Sequence, residues 1–142
     1  MSNPIPFDLL TDWDVVIVDD EDDSLEVARY ILDFYGAHVH TGVNGREGLE
    51  LAQTVLPKFV IADLSMPVMD GWEMLNELKA DLRTTEIPVI ALTAHAMVGD
   101  RERAMAAGFH NYLTKPLTAD TFIQQLVSLL VDIPILADQL NI

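Results

Sequence analysis

Four short apolar runs in this chain end in residues able to bind a cation or a phosphate. Val15-Val16-Ile17-Val18 runs into Asp19-Asp20, Phe59-Val60-Ile61-Ala62 into Asp63, Val89-Ile90-Ala91-Leu92 into Thr93, and Asn111-Tyr112-Leu113-Thr114 into Lys115. If these runs are neighbouring parallel strands, their carboxyl ends converge, and three carboxylates, a hydroxyl and an ammonium meet at one sheet edge. Three carboxylates that close repel one another unless a counter-charge joins them, and a hard cation with oxygen ligands, Mg²⁺, is the natural one. A carboxylate is also a nucleophile toward phosphorus, giving an aspartyl phosphate. Such a transfer depends on positioning and charge neutralisation more than on proton movement, and a metal, Lys115 and the Thr93 hydroxyl would supply both.

The elements that must hold these residues alternate between strand-like runs and stretches of helical period, the pattern of βα units around a parallel sheet. The runs are nearly continuous in Val, Ile, Ala and Leu, as expected of strands covered by helices on both faces. Asp23 or Ser24 is the expected cap of a first helix with Leu25, Ala28, Ile31, Leu32 and Tyr35 inward and Gly36 as its stop. Ala37 to Thr41 alternates as a second strand, and Asn44-Gly45 leads into a helix carrying Leu49, Ala52, Val55 and Leu56, which Pro57 ends. Met74, Leu75, Leu78 and Leu82 mark a third helix, Met97 to Ala107 a fourth closed by Gly108, and Thr118 or Asp120 opens a fifth with Phe122, Ile123, Leu126, Leu129 and Leu130. The fold class is therefore α/β, a doubly wound five-stranded parallel sheet.

The chain has 142 residues, enough for one domain with a substantial core. Its 23 acids against 8 bases give a net charge of −15, which disfavours nucleic acid and anionic membranes as partners and favours cations or basic surfaces. Arg101-Glu102-Arg103 is a mixed-charge helix face, not a basic patch. There is no cysteine, so neither disulfides nor thiolate metal sites enter, and no apolar run has the length of a signal peptide core or membrane span. A cytoplasmic location is the expectation.

In combination, Val-Asp-Asp-Glu at 18 to 21, Asp-Leu-Ser-Met-Pro-Val-Met-Asp-Gly at 63 to 71, Ala-Leu-Thr-Ala at 91 to 94 and Tyr-Leu-Thr-Lys-Pro-Leu at 112 to 117 resemble the response-regulator receiver domain of two-component signalling. The resemblance runs from about Asp14 to Val131 and implies a flavodoxin-like sheet in the order 2-1-3-4-5. It makes Asp63 the phosphoacceptor, with Asp20 and the Ser65 backbone carbonyl coordinating Mg²⁺ and Asp19 holding it through water. It further implies that Thr93 bonds the phosphoryl oxygen and shifts with it, that Lys115 pairs with the phosphoryl group, and that Tyr112 turns inward on activation. Ser65 and His95 would tune the lifetime of the phosphorylated state, and the Lys115-Pro116 bond would be cis.

Taken singly, these residues have plainer roles: Asp63 a strand terminator or helix cap, Lys115 a surface lysine, Thr93 a strand-end hydroxyl and Tyr112 a half-buried aromatic. The combination selects the chemical reading. Asp22 and Asp23 are expected to cap and solvate, and His38, His40 and His110 to be partly exposed structural residues without a second ligand set for a metal. Met66, Met69 and Met74 are expected to fill loop and core space.

The receiver would occupy residues 13–131, with an extension at 1–12 and a tail at 132–142 too short for an output domain. The expected function is that of a stand-alone regulator phosphorylated by a histidine kinase and acting on a downstream effector protein or through a homodimer. The alternative is a phosphorelay intermediate that hands the phosphoryl group to a histidine phosphotransfer protein. A Mg²⁺-dependent phosphatase with Asp63 as nucleophile is a reading of another class, weakened because Ser65 stands where such enzymes resemble Asp-x-Asp and cannot act as a general acid. Ile5, Phe7 and Leu10 before the first strand, and Ile133, Ile135 and Leu136 after the last helix, are too apolar for solvated tails and are expected to pack on the domain or across a dimer.

Overall fold

The computed structural model describes residues 5–94 and 99–140. Strands β1 (Asp14–Val18), β2 (His38–Gly42), β3 (Phe59–Asp63), β4 (Val89–Thr93) and β5 (Asn111–Thr114) form one parallel sheet in the order β2-β1-β3-β4-β5. Between and after them run α1 (Asp22–Phe34), α2 (Gly45–Val55), α3 (Gly71–Ala80), α4 (Asp100–Ala107), α5 (Phe122–Leu130) and a short α6 (Pro134–Ala137). This is the doubly wound α/β fold expected from the alternating pattern.

Strand side chains alternate between faces, so the sheet divides its apolar residues into two cores. Val15, Ile17, Phe59, Ile61, Ile90 and Leu92 pack under α1 and α5, whereas Val16, Val18, Val60, Ala62, Val89 and Ala91 pack under α2 and α3. All five residues of β3 and of β4 are buried, which explains why these runs read as unbroken apolar stretches. The edge strand β2 is more exposed, and there His38 and His40 each meet a carboxylate across the sheet, Asp12 at 3.3 Å and Asp14 at 3.0 Å.

Several element ends differ from the sequence-based expectation. Glu21, not Asp23 or Ser24, is the N-cap of α1, and Asp22 and Asp23 fall in its first turn, where negative charge favours the helix dipole. Leu56 is a left-handed C-cap and 52 % exposed, and Leu82 lies beyond the end of α3 and is 93 % exposed. Both continue a helical spacing past the point where the backbone leaves the helix. Helix α5 starts at Phe122, after the cap Thr121. Asn44 caps α2 and Asp70 caps α3, each side chain accepting from the backbone N–H three residues on.

The terminal segments pack on the same core. Leu9, Leu10, Ile133, Leu136 and Leu140 are buried with Trp13, Phe59 and the inner face of α5, and Ile5 is partly buried. Full burial of such side chains stabilises by about 1.5–3 kcal/mol each. Phe7 and Ile135 stay outside that core, at 73 % and 62 % exposure, and the Phe7 ring meets Phe34 edge-on at 5.2 Å. Among the described residues no helix is long and apolar enough to cross a membrane.

Candidate functional site

The carboxyl ends of β1, β3, β4 and β5 are tied together by backbone hydrogen bonds that fix the height of each functional side chain. Leu64 N–H donates to Leu92 O at 3.0 Å and Lys115 N–H to Thr93 O at 2.8 Å, while Asp19 N–H reaches Gly42 O at 3.1 Å. The Lys115-Pro116 peptide is cis. Gly71 lets α3 begin against the end of β3, because a Cβ there would stand 2.4 Å from the Asp63 carbonyl oxygen.

Asp19, Asp63 and Thr93 are buried, Asp20 is exposed, and one carboxylate oxygen from each of Asp19, Asp20 and Asp63 lies within 4.8 Å of the others. The Lys115 ammonium sits among them. Its Nζ donates to Asp63 Oδ2 at 3.0 Å, to Asp19 Oδ1 at 3.0 Å and to Glu21 Oε1. Ser65 N–H donates to Asp63 Oδ1 at 3.1 Å, and Glu21 N–H to Asp19 Oδ1 at 2.9 Å. Asp63 thus has both oxygens oriented. Asp20, Glu21, Asp63, Leu64, Ser65, Thr93, Ala94 and Lys115 line a cleft of about 320 Å³, large enough for a phosphoryl group on Asp63.

Burial raises Asp19 from the usual 3.8 to about 6; the Glu21 N–H and Lys115 oppose the rise, and the neighbouring Asp63 charge adds to it. Burial also disfavours the charged form of Lys115, but its bonds to Glu21, Asp19 and Asp63 outweigh this and hold the ammonium above its ordinary range. Asp19 Oδ2 is buried, lies 3.0 Å from Lys115 Nζ, and accepts no hydrogen bond from the described residues. A carboxylate oxygen of that kind, beside two further carboxylates, fits a hard divalent cation. Asp19, Asp20 and Asp63 are the side chains able to hold it.

The structure therefore brings together Asp19, Asp20, Asp63, Ser65, Thr93 and Lys115. Tyr112 stands apart from the cleft, half-buried on β5 beside Ala91, and lines a surface groove with Arg101, Gln125, Ser128 and Leu129. His95, expected to overlook the site, lies outside the described residues. Sequence reasoning places Glu21 only as the last residue of the Val-Asp-Asp-Glu motif and gives it no role. Its place directly after the aspartate pair was the available signal, since the turn into α1 swings its side chain toward Lys115.

A sequence model described as the response regulator receiver domain matches residues 15–127. The polar-differentiation response regulator DivK of Brucella anthropi is 36% identical over 118 residues, covering 83% of this chain and 96% of its own length. Among solved structures, the chemotaxis response regulator CheY4 of Vibrio cholerae is similar with a TM-score of 0.78 and 28% identity, over 84% of this chain and 100% of that one. The receiver domain of the sensor histidine kinase PA1611 of Pseudomonas aeruginosa, solved with a magnesium ion coordinated in its active site cleft, is similar with a TM-score of 0.73 and 28% identity over 83% of this chain and 97% of that one. Motifs, strand order and these likenesses agree: the chain belongs to the response regulator receiver domain family.

Proposed function

We propose that this receiver takes a phosphoryl group from a histidine kinase onto Asp63 in a Mg²⁺-dependent reaction, and that the phosphorylated surface engages an effector protein or a second copy of the chain. The observation that carries this reading is the Lys115 ammonium, held between Asp63 and Asp19 inside a cleft that also presents Asp20 and Thr93. In the transfer, a carboxylate oxygen of Asp63 attacks phosphorus; an O–P bond forms, the bond to the donor atom breaks, and its electron pair leaves with the donor. Lys115 neutralises charge on the transferred group, and the Thr93 hydroxyl donates to one of its oxygens. Asp20, Asp63 and the Ser65 carbonyl would hold Mg²⁺, with Asp19 holding it through water, and the bound cation would offset negative charge between nucleophile and donor. That a similar receiver is described with magnesium in its cleft supports this assignment.

Thr93 on β4 and Tyr112 on the neighbouring β5 would then carry the change outward to the groove around Arg101, Gln125 and Leu129. His95, two residues beyond Thr93, and Ser65 are assigned the control of water approach to the acyl phosphate.

Incubation with acetyl phosphate and Mg²⁺ followed by intact mass measurement tests the reading. Wild-type protein is expected to gain one phosphoryl group, and Asp63→Asn protein, or wild-type in EDTA, none. Uptake that persists in the variant or proceeds fully in EDTA would overturn it.

A further inference from the structure

Lys115 has three N–H donors and three carboxylate partners, so its hydrogen-bonding capacity is spent before any phosphoryl group arrives. The three partners are not equivalent. Asp19 is fully buried and Asp63 nearly so, and unless a bound cation covers the charge, releasing either would strand it in a site with little access to water. Glu21 is different: its side chain is 61% exposed, and water re-solvates its carboxylate as soon as the contact breaks.

A phosphoryl group on Asp63 carries more negative charge than the carboxylate it replaces and offers further acceptor oxygens. The ammonium can meet these only by giving up a partner, and Glu21 is the one released at least cost. Glu21 also lines the mouth of the cleft with Asp20 and Asp63, so its charge opposes the approach of an anionic donor.

We propose that Glu21 is a positioning residue that tethers Lys115 in the unphosphorylated chain and surrenders it on phosphorylation, thereby slowing phosphoryl uptake at Asp63. The proposal rests on the reading of Asp63 as phosphoacceptor. The Glu21 backbone N–H bonds Asp19 Oδ1 and its carboxylate bonds Lys115, so the effect of the side chain passes through Lys115.

Two variants separate the tether from the charge. Glu21→Gln removes the charge and weakens the bond to Lys115; Glu21→Asp keeps the charge but withdraws the carboxylate by one methylene. Uptake rates at saturating Mg²⁺ are measured with acetyl phosphate and with phosphoramidate, a less highly charged donor, together with Mg²⁺ affinity by calorimetry. The expected result is that both variants take up phosphoryl roughly two- to fivefold faster than wild type with either donor, the factor that fits one exposed ion pair. Mg²⁺ affinity should stay unchanged. Acceleration in Glu21→Gln alone, and only with acetyl phosphate, would mean that charge repulsion acts without a tether and overturns the proposal. Equal or slower rates in both variants also overturn it. If wild-type protein takes up no phosphoryl at all, it is the phosphoacceptor reading that fails, and the Lys115 Nζ resonance, which should change between wild type and Glu21→Asp, then decides the tether on its own.

Discussion

The Lys115 ammonium lies 3.0 Å from Asp63 Oδ2, and the residues are 52 positions apart in sequence. This pair is the point where the sheet converts strand order into chemistry. Parallel strands β3 and β5, separated by β4, present their carboxyl ends on one edge, and the long lysine side chain crosses the end of β4 to reach both Asp63 and Asp19. Its side chain is only 7% exposed, so the pairing is poorly screened by solvent.

Lys115 and a bound cation neutralise the same carboxylates, and this sets a first expectation. In Lys115→Met protein Asp19 and Asp63 lose their buried counter-charge, a change of about 3 kcal/mol in metal-free buffer. Mg²⁺ should then raise the melting temperature more in the variant than in wild type, while phosphoryl uptake falls. An equal Mg²⁺ effect in both proteins would show that lysine and metal do not share the site.

Asp19 gives a pH dependence with a defined sign. Its folded pKa of about 6 stands above the unbound 3.8, so between those values the native protein binds the proton more tightly than the unfolded chain. Metal-free stability therefore rises as pH falls from 7 toward 4 through this group, and is lost as pH rises through about 6. The contribution is about 3 kcal/mol at most. Urea midpoints in EDTA at pH 5 and pH 7.5 should differ in this direction for wild type, and Asp19→Asn should remove that part of the difference and be the more stable protein at pH 7.5. A variant less stable than wild type at pH 7.5 would contradict the assignment.

The terminal segments offer a test within the fold. Ile133 and Leu136 are 3% and 2% exposed, whereas Ile135 between them is 62% exposed. Alanine at either buried position should cost roughly 2–4 kcal/mol in urea unfolding, and Ile135→Ala under about 0.5. Equal effects at all three positions would mean that α6 does not dock as described.

The strands, their order and the cleft residues were legible because their signals are local and reinforce one another. An apolar run closed by Asp63 or Thr93 announces a strand end, and the resemblance to receivers supplies the order in which those ends meet. Glu21 was not legible in the same way. Its role depends on where a lysine 94 residues away places its ammonium, and its place directly after the aspartate pair does not by itself show where that ammonium lies. Leu56 and Leu82 misled because apolar spacing continues after the backbone has turned away, and only the left-handed cap at Leu56 or the extended cap at Asp81 reveals the stop. The tails were half legible: composition marked them as apolar, but which of Phe7, Leu10, Ile133 and Ile135 turns inward depends on how the segment meets α1 and α5.

Asp63 is assigned as the nucleophile, and reductive trapping locates the phosphorylated residue. Wild-type protein is treated with acetyl phosphate and Mg²⁺, then with borohydride, which converts an aspartyl phosphate to homoserine, and the modified residue is located by tandem mass spectrometry. Homoserine is expected at position 63 and at no other aspartate, with none formed in EDTA. Homoserine at position 19 or 20, or its formation in Asp63→Asn protein, would contradict it.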